Sequence, residues 1–224
     1  MKSQDNDVAM QGIEFWSTVC EEELNIVMEN AEAMESNQPP PRQFHNFAQA
    51  ALPQIVPVLT HLLTQQEEGD DEDDWNASMA ASTCLTLLTN CVTDNILPHI
   101  LPFVESNIAS QRWQQREAAV MAFGCVLEGP DPRKLEPIVT QALPELVNRM
   151  NDPNIAVQDT AAWTIGKVCE VMGDSNDGNS VLNQAAIDAI VPVLLHGLKK
   201  PARVASNCAY VRFLESISTV LLTL

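Results

Sequence analysis

The sequence predicts an all-α solenoid, a right-handed superhelix of antiparallel helix pairs, on three observations. Glycine is scarce, eight in 224 residues, and long stretches space apolar residues by three and four with few β-branched alternations. Proline recurs in one setting, as in Gln-Ile-Val-Pro57, His-Ile-Leu-Pro102, Gln-Ala-Leu-Pro144 and Ala-Ile-Val-Pro192, at spacings of 45, 42 and 48 residues. A second series interleaves it: Arg116-Glu-Ala-Ala-Val-Met-Ala-Phe-Gly124 aligns with Gln158-Asp-Thr-Ala-Ala-Trp-Thr-Ile-Gly166 at a shift of 42.

Two alternating helix types repeating at about 40 to 47 residues are the mark of HEAT or armadillo arrays, and two helices per unit select HEAT. The chain reads as one such segment over residues 1–224. It opens with an orphan second helix at about 8–29, followed by a connector containing Gln38-Pro-Pro-Pro41. Four helix pairs follow, at about 44–66 and 76–91, 95–108 and 112–127, 133–150 and 154–172, and 181–199 and 202–220. Trp75 and Trp113 each open a second helix. Proline inside a first helix removes a backbone donor and clashes one turn back, so the first helices are expected to bend and to occupy the outer, curved side.

Charge narrows the function. Twelve Lys and Arg against thirty Asp and Glu give a formal charge of −18, which repels a phosphate backbone and argues against nucleic acid. The excess is uneven: residues 1–75 hold sixteen acids and two bases, a net −14, and the remainder a net −4. An acidic pole calls for a basic partner. The longest apolar run, Ala118 to Leu127, is too short to span a bilayer. Met1-Lys-Ser-Gln-Asp-Asn-Asp7 has neither a signal-peptide core nor an Arg-rich transit pattern, so the expected location is cytosol or nucleus. The six cysteines, Cys20, Cys84, Cys91, Cys125, Cys169 and Cys208, form no C-x-x-C pair and are expected to be reduced core residues.

The binding face is read from the second helices. On a wheel of 154–172, Ala161, Ala162, Ile165, Val168, Cys169 and Met172 gather on one side, with Asp159, Trp163, Gly166 and Glu170 opposite. The same register gives Glu117 and Glu128 one repeat earlier, Glu14 and Glu21 in the orphan helix, and Asn207 and Tyr210 in the last repeat. Stacking the helices would align these acids as a ladder of solvated carboxylates along a concave wall. The densest feature is the run Glu67, Glu68, Gly69, Asp70, Asp71, Glu72, Asp73, Asp74, closed by Trp75. Seven acids in eight positions repel one another and predict an exposed intra-repeat loop. It lacks the terminal Glu of a Ca²⁺ loop, so no metal is expected. Its carboxylates suit Lys and Arg heads, and the adjacent indole suits a guanidinium or an aliphatic stem. The four histidines show no ligand spacing and no Gly-rich phosphate loop occurs, so neither catalysis nor a cofactor is expected.

Several strings then match one family in order and near-constant spacing: Gly12-Ile-Glu-Phe-Trp-Ser17, Asp74-Trp75-Asn76, Ala118-Ala-Val-Met-Ala-Phe-Gly-Cys125, Leu127-Glu-Gly-Pro130, Asp159-Thr-Ala-Ala-Trp163 and Arg203-Val-Ala-Ser-Asn207. From residue 1 to Asn207 the chain resembles the middle of the importin-β (karyopherin-β) family. The resemblance implies that the inner helices hold the basic importin-β-binding region of an importin-α adaptor, or a basic cargo signal. By the same resemblance Trp75, Trp163, Glu14, Glu21, Glu117, Asp159 and the acidic loop match contact positions, and Ran-GTP approaches the loop to release cargo. FG-repeat nucleoporins, the cytoplasm, the nucleus and the nuclear pore follow as implied partners and locations. Tyr210 stands where the family has a third tryptophan, and after it the sequence departs from the family, so a truncated segment is expected. The alternative class, a passive HEAT scaffold for protein subunits, differs in being insensitive to salt.

Overall fold

The computed structural model describes residues 6–66, 76–173 and 181–211, and all of the regular structure in these stretches is helical. In chain order the helices are α1 (Asn6–Glu35), α2 (Phe47–Leu63), α3 (Ala77–Val92), α4 (Leu97–Asn107), α5 (Trp113–Cys125), α6 (Pro132–Arg149), α7 (Ile155–Met172), α8 (Gln184–Gly197) and α9 (Ala202–Tyr210), with one 3₁₀ turn (Thr93–Ile96) between α3 and α4. Helix α1 runs past the expected end at 29 because Asn30-Ala-Glu-Ala-Met-Glu35 contains no breaker. It stops where Asn37 takes φ 54° and the Gln38 amide bonds back to the Ala33 carbonyl at 2.8 Å, a Schellman ending with asparagine in place of glycine. Asparagine caps start three of the others: the Asn76, Asn154 and Asn183 side chains accept from the Met79, Ala156 and Ala186 amides at 3.0, 2.8 and 3.1 Å. The residues expected as the end of the last helix, 212–220, and the loop at 67–75 lie outside the described residues.

The helices form two layers. Helices α1, α3, α5, α7 and α9 pack each on the next, and α2, α4, α6 and α8 back them as the first helices of the pairs α2–α3, α4–α5, α6–α7 and α8–α9. Leu52, Leu59, Leu63, Leu85, Leu88, Ile100, Phe123, Leu135 and Leu146 are fully buried between the layers. The prolines inside first helices, Pro53, Pro57, Pro102, Pro137, Pro144 and Pro192, are all exposed. Their missing amides therefore open toward water, where a lost donor costs least.

Polar clasps set the spacing of the repeats. Buried Glu23 of α1 accepts from the Phe47 and Ala48 amides at 2.5 and 3.1 Å, capping α2 from outside the helix where its own N-cap residue, Asn46, makes no side-chain bond. Asp94 accepts from the Asp131 amide at 2.8 Å and pairs with Lys134, holding the start of α6. Arg116 of α5 bonds Asp152 in bidentate fashion, Nε and Nη2 each at 2.7 Å, while its Nη1 reaches the Ser110 and Gln111 carbonyls. Asp152 also accepts from the Asn154 amide and Arg149, so the turn between α6 and α7 is built around one buried carboxylate. All six cysteines are free thiols.

Arg116→Ala would strand the Asp152 carboxylate with Arg149 as its only remaining cation, so unfolding free energy is expected to fall by about 3–5 kcal/mol. Urea denaturation measures it, and a loss below about 1 kcal/mol would show the clasp to be dispensable.

Candidate protein-binding face

The second-helix layer places the expected ladder residues in three environments. Glu14, Glu21, Glu128, Glu170 and Tyr210 are exposed, Tyr210 to 81%. Trp163 and Asn207 are half-buried. Glu117 and Asp159 are buried, which corrects their reading as solvated rungs. The reason is geometric: each second helix is flanked by another, so this register points its side chains into the neighbouring helix over part of its length. The run Glu67–Trp75 lies outside the described residues.

The two buried carboxylates are occupied from within the chain. Glu117 on α5 accepts from the Thr160 hydroxyl on α7 at 2.7 Å and from the Gln66 side-chain amide, the residue that leads into the acidic run. Burial outweighs both donors and lifts the Glu117 pKa from its ordinary 4.5 to about 7, with Arg203 pulling it down and Asp159 pushing it up. Asp159 on α7 accepts from Arg203 Nε at 2.6 Å and from the Asn207 side-chain amide at 2.7 Å, both on α9. Thus α5, α7 and α9 are joined in sequence by carboxylates. Composition and helical register did not reveal Gln66, Thr160 or Arg203; Arg203 falls 44 residues after Asp159, about one repeat on, and that spacing was the available signal.

The aromatic positions depend on glycine. A Cβ on Gly124 would lie 2.3 Å from the Trp163 ring and 2.9 Å from Thr164 Oγ1, so the bare backbone of α5 is the slot in which the indole rests. One repeat on, a Cβ on Gly166 would meet, among the described residues, only the Val211 side chain, at an ordinary 3.6 Å, and Tyr210 is left exposed. A surface hollow results, lined by Trp163, Gly166, Lys167, Glu170, Asn207 and Tyr210. Lys167 links its acidic rim by pairing with Glu128 and, at 3.4 Å, with Glu170. Burial lowers the Lys167 pKa, but these two acids outweigh it and leave the ammonium more firmly protonated than usual. Two flat rings and exposed carboxylates around an open hollow suit an extended cationic side chain: the stem lies on the rings and the head meets the acids.

Residues 113–168, spanning α5 to α7, match the family model described as a HEAT-like repeat. Importin subunit beta-1 of Schizosaccharomyces pombe is 48% identical over 210 residues, which are 94% of this chain and 24% of that protein. The Saccharomyces cerevisiae protein of the same name is 42% identical over 94% of this chain and 23% of its own length. Yeast importin-beta (Kap95p) superposes with a TM-score of 0.86 at 42% identity, over 94% of this chain and 24% of that one, and the Kap95:Nup1 complex gives 0.85. The chain therefore spans about a quarter of the length of the relatives it matches.

Two outcomes check this geometry. Because folding raises the Glu117 pKa, the group favours the folded state most below pH 4.5 and loses that contribution as pH rises to about 7. The loss is on the order of 3 kcal/mol, and Glu117→Gln should remove it from a series of urea titrations across that range; parallel curves for the two proteins would refute the buried-carboxyl assignment. Gly124→Ala should push the indole from its slot, red-shifting Trp163 fluorescence and destabilising the fold by about 1–3 kcal/mol.

Proposed function

Because this chain is a HEAT-repeat segment homologous to importin subunit beta-1 of the importin-β family, we propose that it is part of a nuclear transport receptor whose second-helix face binds a basic protein segment. The proposed ligand is the basic importin-β-binding region of an importin-α adaptor or a basic import signal on cargo. The observation that carries the reading is the hollow between α7 and α9, where Trp163, exposed Tyr210 and Glu170 converge.

The burial pattern divides the labour. Glu117, Asp159 and Asn207 hold adjacent second helices together, and the cationic heads are assigned to the exposed acids Glu14, Glu21, Glu128 and Glu170. The run Glu67, Glu68, Asp70, Asp71, Glu72, Asp73 and Asp74 supplies the highest local charge, with Trp75 beside it for stacking. An arriving Lys or Arg would take over the acids that Lys167 bridges in the free chain. Relatives have been solved as complexes with Nup1 and with RanGDP, which supports Ran and a nucleoporin as partners of the full-length receptor; by the family resemblance the nucleoporin contact is with FG repeats, Ran-GTP is the releasing factor, and the cytoplasm, nucleus and nuclear pore are its locations. None of these roles needs catalysis or a cofactor.

Fluorescence anisotropy with an Arg/Lys-rich adaptor peptide tests the proposal. Trp163→Ala should weaken binding about tenfold or more, and replacing the acids of 67–74 by Asn and Ser should weaken it and flatten its salt dependence. Unchanged affinity in both variants would sink the assignment. Salt-insensitive binding of a folded subunit in place of the peptide would favour a passive scaffold.

A further inference from the structure

The contact between α1 and α3 contains a thiol pair that peptide binding does not use. Cys20 of α1 is fully buried, and Cys91, in the last turn of α3, is half-buried. The Cys91 thiol donates to the Cys20 backbone carbonyl at 3.1 Å, so its sulfur sits against the residue that carries the other thiol. The interaction of the two side chains raises the Cys20 pKa and lowers that of Cys91. A backbone contact to Leu24 acts in the same direction on Cys91, while burial and the nearby Glu23 carboxylate oppose it. Cys84, also on α3, is fully buried and its thiol is held up to about 11 by burial. The pair therefore divides into a partly accessible nucleophile and an enclosed resolving thiol.

We infer that Cys91 and Cys20 form a reversible, oxidant-responsive disulfide that staples α1 to α3. With a hydroperoxide as oxidant, the Cys91 thiolate attacks a peroxide oxygen; the S–O bond forms as O–O breaks, and the departing hydroxide takes a proton to leave as water. Cys91 is then a sulfenic acid, oxidised by two electrons, and the peroxide is reduced. The Cys20 sulfur attacks the Cys91 sulfur, S–S forms as S–O breaks, and a second water leaves with the Cys20 proton. Two thiols and one hydrogen peroxide thus give one disulfide and two waters, and a dithiol reverses the bond by exchange.

The test treats the purified chain with hydrogen peroxide, alkylates the remaining thiols and maps peptides by mass spectrometry. Of the six thiols, two are expected to be lost, in a single Cys20–Cys91 linked peptide, and to return with dithiothreitol. Cys84→Ser should lose the same two, whereas Cys91→Ser should form no link. Full alkylation of all six in oxidised wild type, a sulfinic acid at Cys91 without a link, or a link through Cys84 would each overturn the inference. The wild-type map decides the question even where a variant folds poorly.

Discussion

Every part of this segment depends on the close contact between successive second helices. Helices α1, α3, α5, α7 and α9 pack edge to edge, so α3, α5 and α7 each have a second helix on both flanks and only a strip of surface left for solvent. Polar groups on the flanks must find partners inside the protein, because an unpaired buried carboxylate costs far more than its net contribution when paired. The structure meets this demand with polar side chains from the adjacent repeat: Thr160 for Glu117, Arg203 and Asn207 for Asp159. The first-helix layer and the turns use similar clasps, with Glu23 capping α2 and Arg116 gathering the turn at Asp152.

The same closeness shapes the binding face. Where α7 passes α5, Gly124 removes the side chain that would block it, and Trp163 settles halfway into the interface. Where α9 passes α7, Asn207 and Arg203 turn inward to Asp159 while Tyr210 stays outside. The hollow is thus a consequence of repeat packing in which one ring is seated and the next is left standing. Beneath it Arg203 and Asn207 tie α9 to Asp159 of α7, and a surface held in place before binding loses less entropy when it captures a flexible basic strand.

Much of the fold was legible in the sequence because a solenoid is nearly one-dimensional: proline spacing and the 42-residue shift between Gly124 and Gly166 depend only on local order. The helix starts are equally local, since the Asn76, Asn154 and Asn183 side chains cap the amides of their own first turns. The wheel of α7 correctly separated Ala161, Ile165 and Val168 from Glu170, which is exposed. It could not rank Asp159 against Glu170, because a wheel describes one helix and carries no record of α9, whose Arg203 and Asn207 reach Asp159. For the same reason Gly124 read as a repeat marker, when its role is to admit a ring from the next helix.

Internal pairing also redistributes the charge. Arg116, Arg149 and Arg203, three of the twelve cations, are committed to Asp152, Glu145 and Asp159. Matched charge against charge, these pairs add little field outside the protein. Glu117, with a pKa of about 7, carries only part of its charge at neutral pH. The field that a partner meets therefore comes from the unmatched acids, and these concentrate in residues 1–75, whose net is −14. Attraction should be strongest toward the α1 to α3 end, and the aromatic hollow between α7 and α9 lies at the weaker end. A basic segment long enough to reach both would be steered by charge at one end and held by stacking at the other, so salt should slow its association more than it speeds its release.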